Sequence, residues 1–172
     1  CESGKFDFQT HPHNDLAALD RFLTENRAKY ARVLIATDGL VSMDGDLTDL
    51  PALLDIKEQH DAWLLLDEGH SYGVLGQTGR GLSEHYGVDP KRIEMTVGTH
   101  SKSFASSGGF IATEADVIEW LRFTLPRFVF SVGLPPTTIA SAHMALDKLQ
   151  EEPWRVAQLR SSSRFFVQLP RD

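Results

Sequence analysis

Residues 62–73 read AWLLLDEGHSYG, in which a short apolar run ends at an acidic residue and continues into a polar, glycine-containing segment. The run has the length of a strand, and no strong helical pattern begins in the dozen residues after it, so we interpret it as a buried strand. Just before it, residues 47–60 place Leu50, Leu53 and Leu54 at helical spacing. A helix joined to a buried strand is the repeating unit of α/β folds.

The alternation of helix and strand continues on both sides of this stretch. Upstream, residues 13–30 predict an amphipathic helix capped by Asn14 or Asp15, and residues 31–37 (ARVLIAT) predict a strand buried on both sides. Downstream, the sequence predicts strands at 93–99, 108–113 and 127–131 (RFVFS), and helices at 114–125, 135–152 and 153–169. We therefore predict an α/β fold with a mostly parallel sheet flanked by helices.

Composition narrows the classes of function. A chain of 172 residues with 41% hydrophobic content can bury one sizeable core. The formal net charge of -7 argues against nucleic acid and anionic membranes as partners, because both bind basic surfaces. Cys1 is the single cysteine, so we expect no internal disulfide and a reducing compartment, by default the cytoplasm. No apolar stretch approaches the roughly 20 residues of a membrane helix, so no transmembrane segment is expected.

Polar residues follow three of the predicted strands, at the sheet edge where α/β proteins bind their ligands. They are Ser42 after the first strand, Asp67 and His70 after the second, and Thr99, Ser101 and Lys102 after the third. Lys102 is the least expected member, because its neighbours are small and hydroxylated rather than typical of a solvated surface.

Two chemistries fit this set. Asp67, Glu68 and His70 could bind a divalent metal for hydrolysis, because carboxylate and imidazole are usual ligands of such ions. Lys102 and Asp67 could instead hold pyridoxal phosphate, with the amine forming a Schiff base and the acid pairing with the pyridinium nitrogen. Only the second hypothesis explains Lys102. It also explains an acid at the end of a buried strand, where a low dielectric strengthens an ion pair.

Six motifs, in order along the chain, resemble those of the α-oxoamine synthases. They are HND (13–15), SMDGD (42–46), LLLDEGHSYGVLG (64–76), GRG (79–81), GTHSKSFASSGGFIA (98–112) and FSVGLPP (130–136). These enzymes use pyridoxal phosphate on fold type I and include serine palmitoyltransferase and 8-amino-7-oxononanoate synthase, the former being most similar in the lysine segment. The resemblance implies that the protein joins an acyl thioester to an amino acid with loss of carbon dioxide. It also implies a homodimer with the active site at the subunit interface.

The resemblance assigns roles to individual residues. Lys102 matches the lysine that binds the cofactor and removes the α-proton, Asp67 the partner of the ring nitrogen, and His70 and Ser42 the neighbours of the ring 3-oxygen. Thr99 matches a hydroxyl that binds the phosphate, and Ser101 is assigned to the cofactor site beside it. Ser131 matches a loop that reaches the cofactor of the neighbouring subunit. The chain departs from the family at Asp38, Gly69, His100, Val132 and Gly133, where glutamate, alanine, phenylalanine and small polar residues are common.

The motifs place the chain in the central part of a large cofactor domain. We assign residues 1–152 to this domain, without its N-terminal part, and residues 153–172 to a helix that leads into an absent C-terminal domain. The chain does not start with methionine, so we expect a piece of a longer protein that is inactive alone. The alternative is a non-catalytic subunit or relic of the same fold that acts as an interaction partner, against which the retention of Lys102 and Asp67 argues.

Overall fold

The computed structural model describes residues 6–169, so Cys1 lies outside the described residues. Four strands form one sheet in the order β1-β2-β3-β4: β1 Leu34–Asp38, β2 Trp63–Asp67, β3 Met95–Thr99 and β4 Gly109–Thr113. Strands β1, β2 and β3 are parallel, and β4 is antiparallel to β3. The predicted α/β fold with a mostly parallel sheet is confirmed.

Within residues 6–169, seven α-helices accompany the sheet. They are α1 Leu16–Asn26, α2 Leu50–Gln59, α3 Leu82–Tyr86, α4 Ala115–Thr124, α5 Pro126–Val129, α6 Pro136–Glu151 and α7 Trp154–Gln168. The predicted cap of α1 is confirmed, because Asp15 Oδ1 accepts a hydrogen bond from Ala18 N at 2.8 Å. In this described part of the chain, no helix has both the length and the apolar character that crossing a bilayer requires.

The core lies on one face of the sheet. Leucines of α1, α2 and α3 pack there against alternate residues of β1 and β2, and all of these side chains are buried. They are Leu19, Leu23, Leu50, Leu53, Leu54 and Leu82 of the helices, and Ile35, Leu64 and Leu66 of the strands. This helical layer holds the carboxyl ends of β1 and β2 side by side.

The expectation that the first strand is buried on both sides is wrong. Ile35 faces the core, but Leu34 is 50% exposed and its register partner Trp63 is 40% exposed. The physical reason is that α1, α2 and α3 all pack on the Ile35 side of the sheet. The opposite face of β1 and β2 is therefore open to solvent in the described chain.

The fifth strand predicted at residues 127–131 is also wrong. Pro126 starts α5 instead, and Val129 N and Phe130 N donate to Leu125 O and Pro126 O, both at 3.0 Å. Aromatic and β-branched residues favour strands, but proline at the first position of a helix has the correct φ and no N–H to leave unpaired. Phe130 is 88% exposed, so this segment does not contribute to the sheet.

An ion pair between a buried lysine and a partly buried glutamate joins α2 to the sheet. The side chain of Lys57 is almost completely buried, and its Nζ lies 2.6 Å from Glu94 Oε1. The other carboxylate oxygen of Glu94 accepts a hydrogen bond from Leu64 N at 2.7 Å. One carboxylate thus connects the helix, the second strand and the segment that leads into the third.

Replacing Lys57 by methionine is expected to lower the free energy of unfolding by about 2 kcal/mol, because it leaves the partly buried Glu94 carboxylate without its cation. Urea unfolding measures this loss. Lys91→Met, in the short 3-10 helix Pro90–Arg92 with its side chain exposed, is the control and should change stability by less than about 0.5 kcal/mol. Equal stability of the two variants would show that the ion pair contributes nothing to the fold.

Candidate active site

The carboxyl ends of the three parallel strands meet at one edge of the sheet. Asp38 and Asp67 end β1 and β2 and are register partners, while Thr99 ends β3. A cavity of about 410 Å³ opens beside the two acids. Its lining is His11, His13, Asn14, Ala36, Thr37, Asp38, Val41, Leu65 and Asp67.

Asp67 is fixed by the turn that follows it. Its Oδ1 accepts a hydrogen bond from Gly69 N at 2.8 Å, which leaves Oδ2 available for a ligand. A methyl group added to Gly69 would meet Asp67 Oδ1 at 2.9 Å, Lys102 Nζ at 3.3 Å and Thr99 Cγ2 at 3.4 Å. The Asp67 carboxylate, the Lys102 amine and the Thr99 methyl group therefore lie close together around Gly69, where glycine avoids a crowded side chain.

Backbone hydrogen bonds close the loop that carries Lys102. His100 N donates to Gly108 O at 2.9 Å, and Ser106 N donates to His100 O at 2.8 Å. Ala105 has a φ of +47°, a left-handed conformation that non-glycine residues adopt only in tight turns. This compact loop directs the exposed lysine toward Asp67.

Two hydroxyls lie at the base of the same loop. Thr99 Oγ1 and Ser101 Oγ are 2.8 Å apart, and Thr99 Oγ1 also donates to Gly108 O at 3.2 Å. Ser101 N donates to Thr99 Oγ1 at 3.3 Å. Side-chain hydroxyls and a backbone N–H at one place are suitable ligands for phosphate oxygens.

The remaining predicted site residues are less tightly placed. His70 is half-buried in the turn after Gly69, and Ser42 is exposed in the turn after β1. Ser131 is exposed and donates a hydrogen bond to Val132 O at 3.4 Å. Within residues 6–169, no side-chain hydrogen bond or ion pair joins these three residues to Asp67 or Lys102.

The structure does not support the metal site predicted as an alternative. Glu68 points away from Asp67 because successive residues of an extended chain face opposite sides. Its two carboxylate oxygens accept from Leu82 N at 3.0 and 3.1 Å, at the start of α3, and its side chain is buried. In the described residues, Asp67, Glu68 and His70 do not form a group that could hold a metal ion.

The role of Glu68 gives a prediction about stability and pH. Burial raises the pKa of Glu68 above its ordinary value of 4.5, so the folded state holds this proton more tightly than the unfolded state. Its contribution to stability is therefore full below pH 4.5 and decreases as the pH rises through the folded pKa. In Glu68→Gln, chemical unfolding at several pH values should show a smaller decrease of stability with rising pH.

Glu84→Gln is the matched control for this experiment. Burial raises the pKa of Glu84, but hydrogen bonds from Arg80 N and Thr78 outweigh it and leave that pKa lowered. The stability that Glu84 contributes is therefore present above pH 4.5 and is lost as the pH falls, so its variant should change the pH profile in the opposite direction. Parallel pH profiles for Glu68→Gln and the unmodified protein would contradict the prediction.

The segment before α1 contributes residues to the lining of the cavity, and the sequence analysis did not assign them to the site. His13 Nε2 and Asn14 Nδ2 both contact Asp46 Oδ2, at 2.8 and 2.7 Å. The hydrogen bond to Asp46 raises the pKa of His13, and the same bond lowers the pKa of Asp46. The motifs HND and SMDGD contain these residues, but only the fold shows that the two motifs contact each other.

Comparisons with known proteins extend over this whole region. Residues 1–169 match the profile of the family described as aminotransferase class I and II. The 8-amino-7-oxononanoate synthase of Geobacter sulfurreducens is 44% identical over 147 residues, covering 86% of this chain and 37% of that protein. The serine palmitoyltransferase of Bacteroides ovatus is 37% identical over 155 residues, covering 90% of this chain and 39% of that protein.

Solved structures give the same relatives. A serine palmitoyltransferase variant from S. paucimobilis, with a bound PLP–myriocin aldimine, superposes with a TM-score of 0.82 at 32% identity. The match covers 88% of this chain and 39% of that one. The chain thus spans about two fifths of the length of the curated relatives it matches.

Proposed function

The chain belongs to the aminotransferase class I and II family, and on that basis we propose that the protein is a pyridoxal-phosphate-dependent α-oxoamine synthase. The observation that supports this function best is that Lys102 Nζ, Asp67 Oδ1 and Thr99 lie close together around Gly69. The amine and the carboxylate near Gly69 match the aldehyde and the ring nitrogen of this cofactor, and the hydroxyls of Thr99 and Ser101 at the base of the lysine loop match its phosphate. When bound, the cofactor supplies an electron sink for the bonds at the α-carbon of an amino acid.

Each residue of the site would act on one part of the cofactor or substrate. Lys102 would hold the cofactor through its amine and, once released by the amino acid, remove the α-proton as a general base. Asp67 would keep the ring nitrogen protonated, because its Oδ2 remains available beside the bonded Oδ1. Thr99 and Ser101 would bind the phosphate, and His70 and Ser42 would orient the ring through its 3-oxygen.

We propose that the substrates are an amino acid and an acyl thioester, carried by coenzyme A or an acyl carrier protein. Attack of the α-carbon on the thioester carbonyl forms a carbon–carbon bond and expels the free thiol. Loss of the carboxyl group as carbon dioxide and addition of a proton to the α-carbon then give an α-amino ketone. The names of the relatives support this class, which includes reactions like that of serine palmitoyltransferase.

We also propose that the protein acts as a homodimer with Ser131 reaching the cofactor of the partner subunit. The segment that contains Ser131 is exposed and apolar, with Phe130 88% and Val132 93% exposed. Exposed apolar segments of this kind mark interaction surfaces. Sedimentation of the cofactor-loaded protein should therefore give a dimer rather than a monomer.

The proposed reaction is tested by product analysis. The full-length protein, loaded with cofactor and incubated with acyl-coenzyme A and a panel of amino acids, should release free thiol and carbon dioxide in equal amounts with one or a few of them. Each reagent omitted in turn provides the control. Thiol release that does not depend on the amino acid would indicate thioester hydrolysis and would contradict the proposal.

A further inference from the structure

The structure places a second carboxylate beside Asp67. Asp38 and Asp67 end neighbouring parallel strands in register, so their side chains project from the same face at a strand spacing of about 4.8 Å. Both line the cavity of about 410 Å³ at the carboxyl edge of the sheet. Two like charges at this separation disfavour each other, and a cation in front of them relieves that repulsion.

Asp38 stabilises the fold through its backbone rather than its carboxylate. Its carbonyl oxygen accepts a hydrogen bond from Thr48 Oγ1 at 2.7 Å. Asp67, in contrast, uses its carboxylate to accept the hydrogen bond of Gly69 N. In the part of the chain that the structure describes, the Asp38 carboxylate has no hydrogen-bond or ion-pair partner, and the residue is exposed to the cavity.

We propose that Asp38 is a positioning residue of the cofactor site, which adds its negative charge to that of Asp67 and favours the cationic form of the bound cofactor. This inference rests on the proposed function, because the cation is the protonated cofactor. Removing one of two carboxylates near a cation lowers the pH at which that cation loses its proton. Asp38 thereby sets how much of the cofactor is protonated at a given pH, while Asp67 makes the direct contact.

Other charged and titratable groups surround the pair. They are His11 and His13 before α1, Asp44 and Asp46 in the turn after β1, and Lys102 across Gly69. Because His13 is bound to Asp46, its charge is largely balanced by its own partner. The uncompensated charge next to Asp67 on the sheet is therefore that of Asp38.

A pH titration of the visible absorbance of the bound cofactor tests this inference. In Asp38→Asn, the pH at which half of the bound cofactor has lost its cationic proton should fall by roughly half to one pH unit. This is a three- to tenfold change in the protonation equilibrium of the cofactor. Asp38→Ser, a second neutral variant, should show the same shift. Asp38→Glu restores the charge and should return the midpoint to that of the unmodified protein.

Asp61→Asn is the matched control, because it removes the same charge near the opposite end of β2. About 20 Å separates Asp61 from Asp67, which is more than the screening length of roughly 8 Å at physiological salt. The titration midpoint of the cofactor should therefore be the same in Asp61→Asn as in the unmodified protein. An unchanged midpoint in both neutral Asp38 variants, with the cofactor still attached to Lys102, would overturn this inference alone. Failure of the unmodified protein to attach the cofactor at Lys102 would instead overturn the proposed function, and this inference with it.

Discussion

Replacing Lys102 by alanine in the full-length protein is expected to abolish covalent attachment of pyridoxal phosphate and to lower turnover on the order of 10²- to 10⁴-fold. The reason is that, in the proposed function, one amine would supply both the bond to the cofactor and the base that removes the α-proton. It is also the amine that lies beside Asp67 above Gly69. Borohydride reduction followed by peptide mass mapping should find the cofactor mass on the Lys102 peptide of the unmodified protein and on no peptide of the variant.

Lys91→Ala is the control for this experiment, since Lys91 is exposed in the short 3-10 helix Pro90–Arg92; this variant should keep both cofactor attachment and turnover. The folded state should survive in Lys102→Ala, because Lys102 is exposed, so its unfolding midpoint should equal that of the control. Cofactor mass on a different lysine would contradict the assignment. A protein that develops no visible absorbance band with pyridoxal phosphate would favour the non-catalytic relative of the same fold.

The sequence predicted the strands and helices that have a single clear pattern. The apolar runs at Leu34–Asp38 and Trp63–Asp67 and the leucine spacing of Leu50–Gln59 correspond to one element each, and all were predicted. The segment at 127–131 was misassigned because residue type alone favours a strand, whereas Pro126 starts a helical turn. The short helix Leu82–Tyr86 was missed because its N-terminus is satisfied by Glu68, a contact across 14 residues that no local pattern reveals.

The sequence predicted which residues of the candidate site lie near one another, but only part of their geometry. Strand ends and motifs identified Asp67, Thr99 and Lys102, and the structure brings these three together. The resemblance to the α-oxoamine synthases is confirmed by relatives that carry the names of such enzymes. Spacing could not separate Asp67 from Glu68, because adjacent residues differ in which face of the sheet they occupy, and the backbone decides this.

The pairing of Asp38 with Asp67 could not be predicted from sequence spacing either. The two residues are 29 positions apart, and only the register of β1 against β2 places them side by side. A motif describes residues that are near in sequence, whereas a parallel sheet brings together the ends of segments separated by a helix. Electrostatic coupling between site residues therefore has to be read from the sheet register.

Asp67→Asn is expected to keep the cofactor attached to Lys102 and to lose on the order of 10²- to 10³-fold in turnover. Asparagine can still accept the hydrogen bond of Gly69 N, so the shape of the turn remains. What disappears is the negative charge that, in the proposed function, would keep the ring nitrogen protonated, and without it the ring would accept electrons poorly. Mass mapping after reduction, together with the steady-state rate of thiol release, measures the two properties separately.

Asp61→Asn removes an aspartate charge near the opposite end of the same strand and should keep both the attachment and the rate. Near-normal turnover in Asp67→Asn would contradict the assigned role, because the charge would then be dispensable. A chelator that abolishes activity, with recovery on adding zinc, would instead favour the metal-binding hypothesis. We expect the chelator to have no effect, because the buried Glu68 carboxylate is bound at the start of α3 and is not available to share a metal with Asp67.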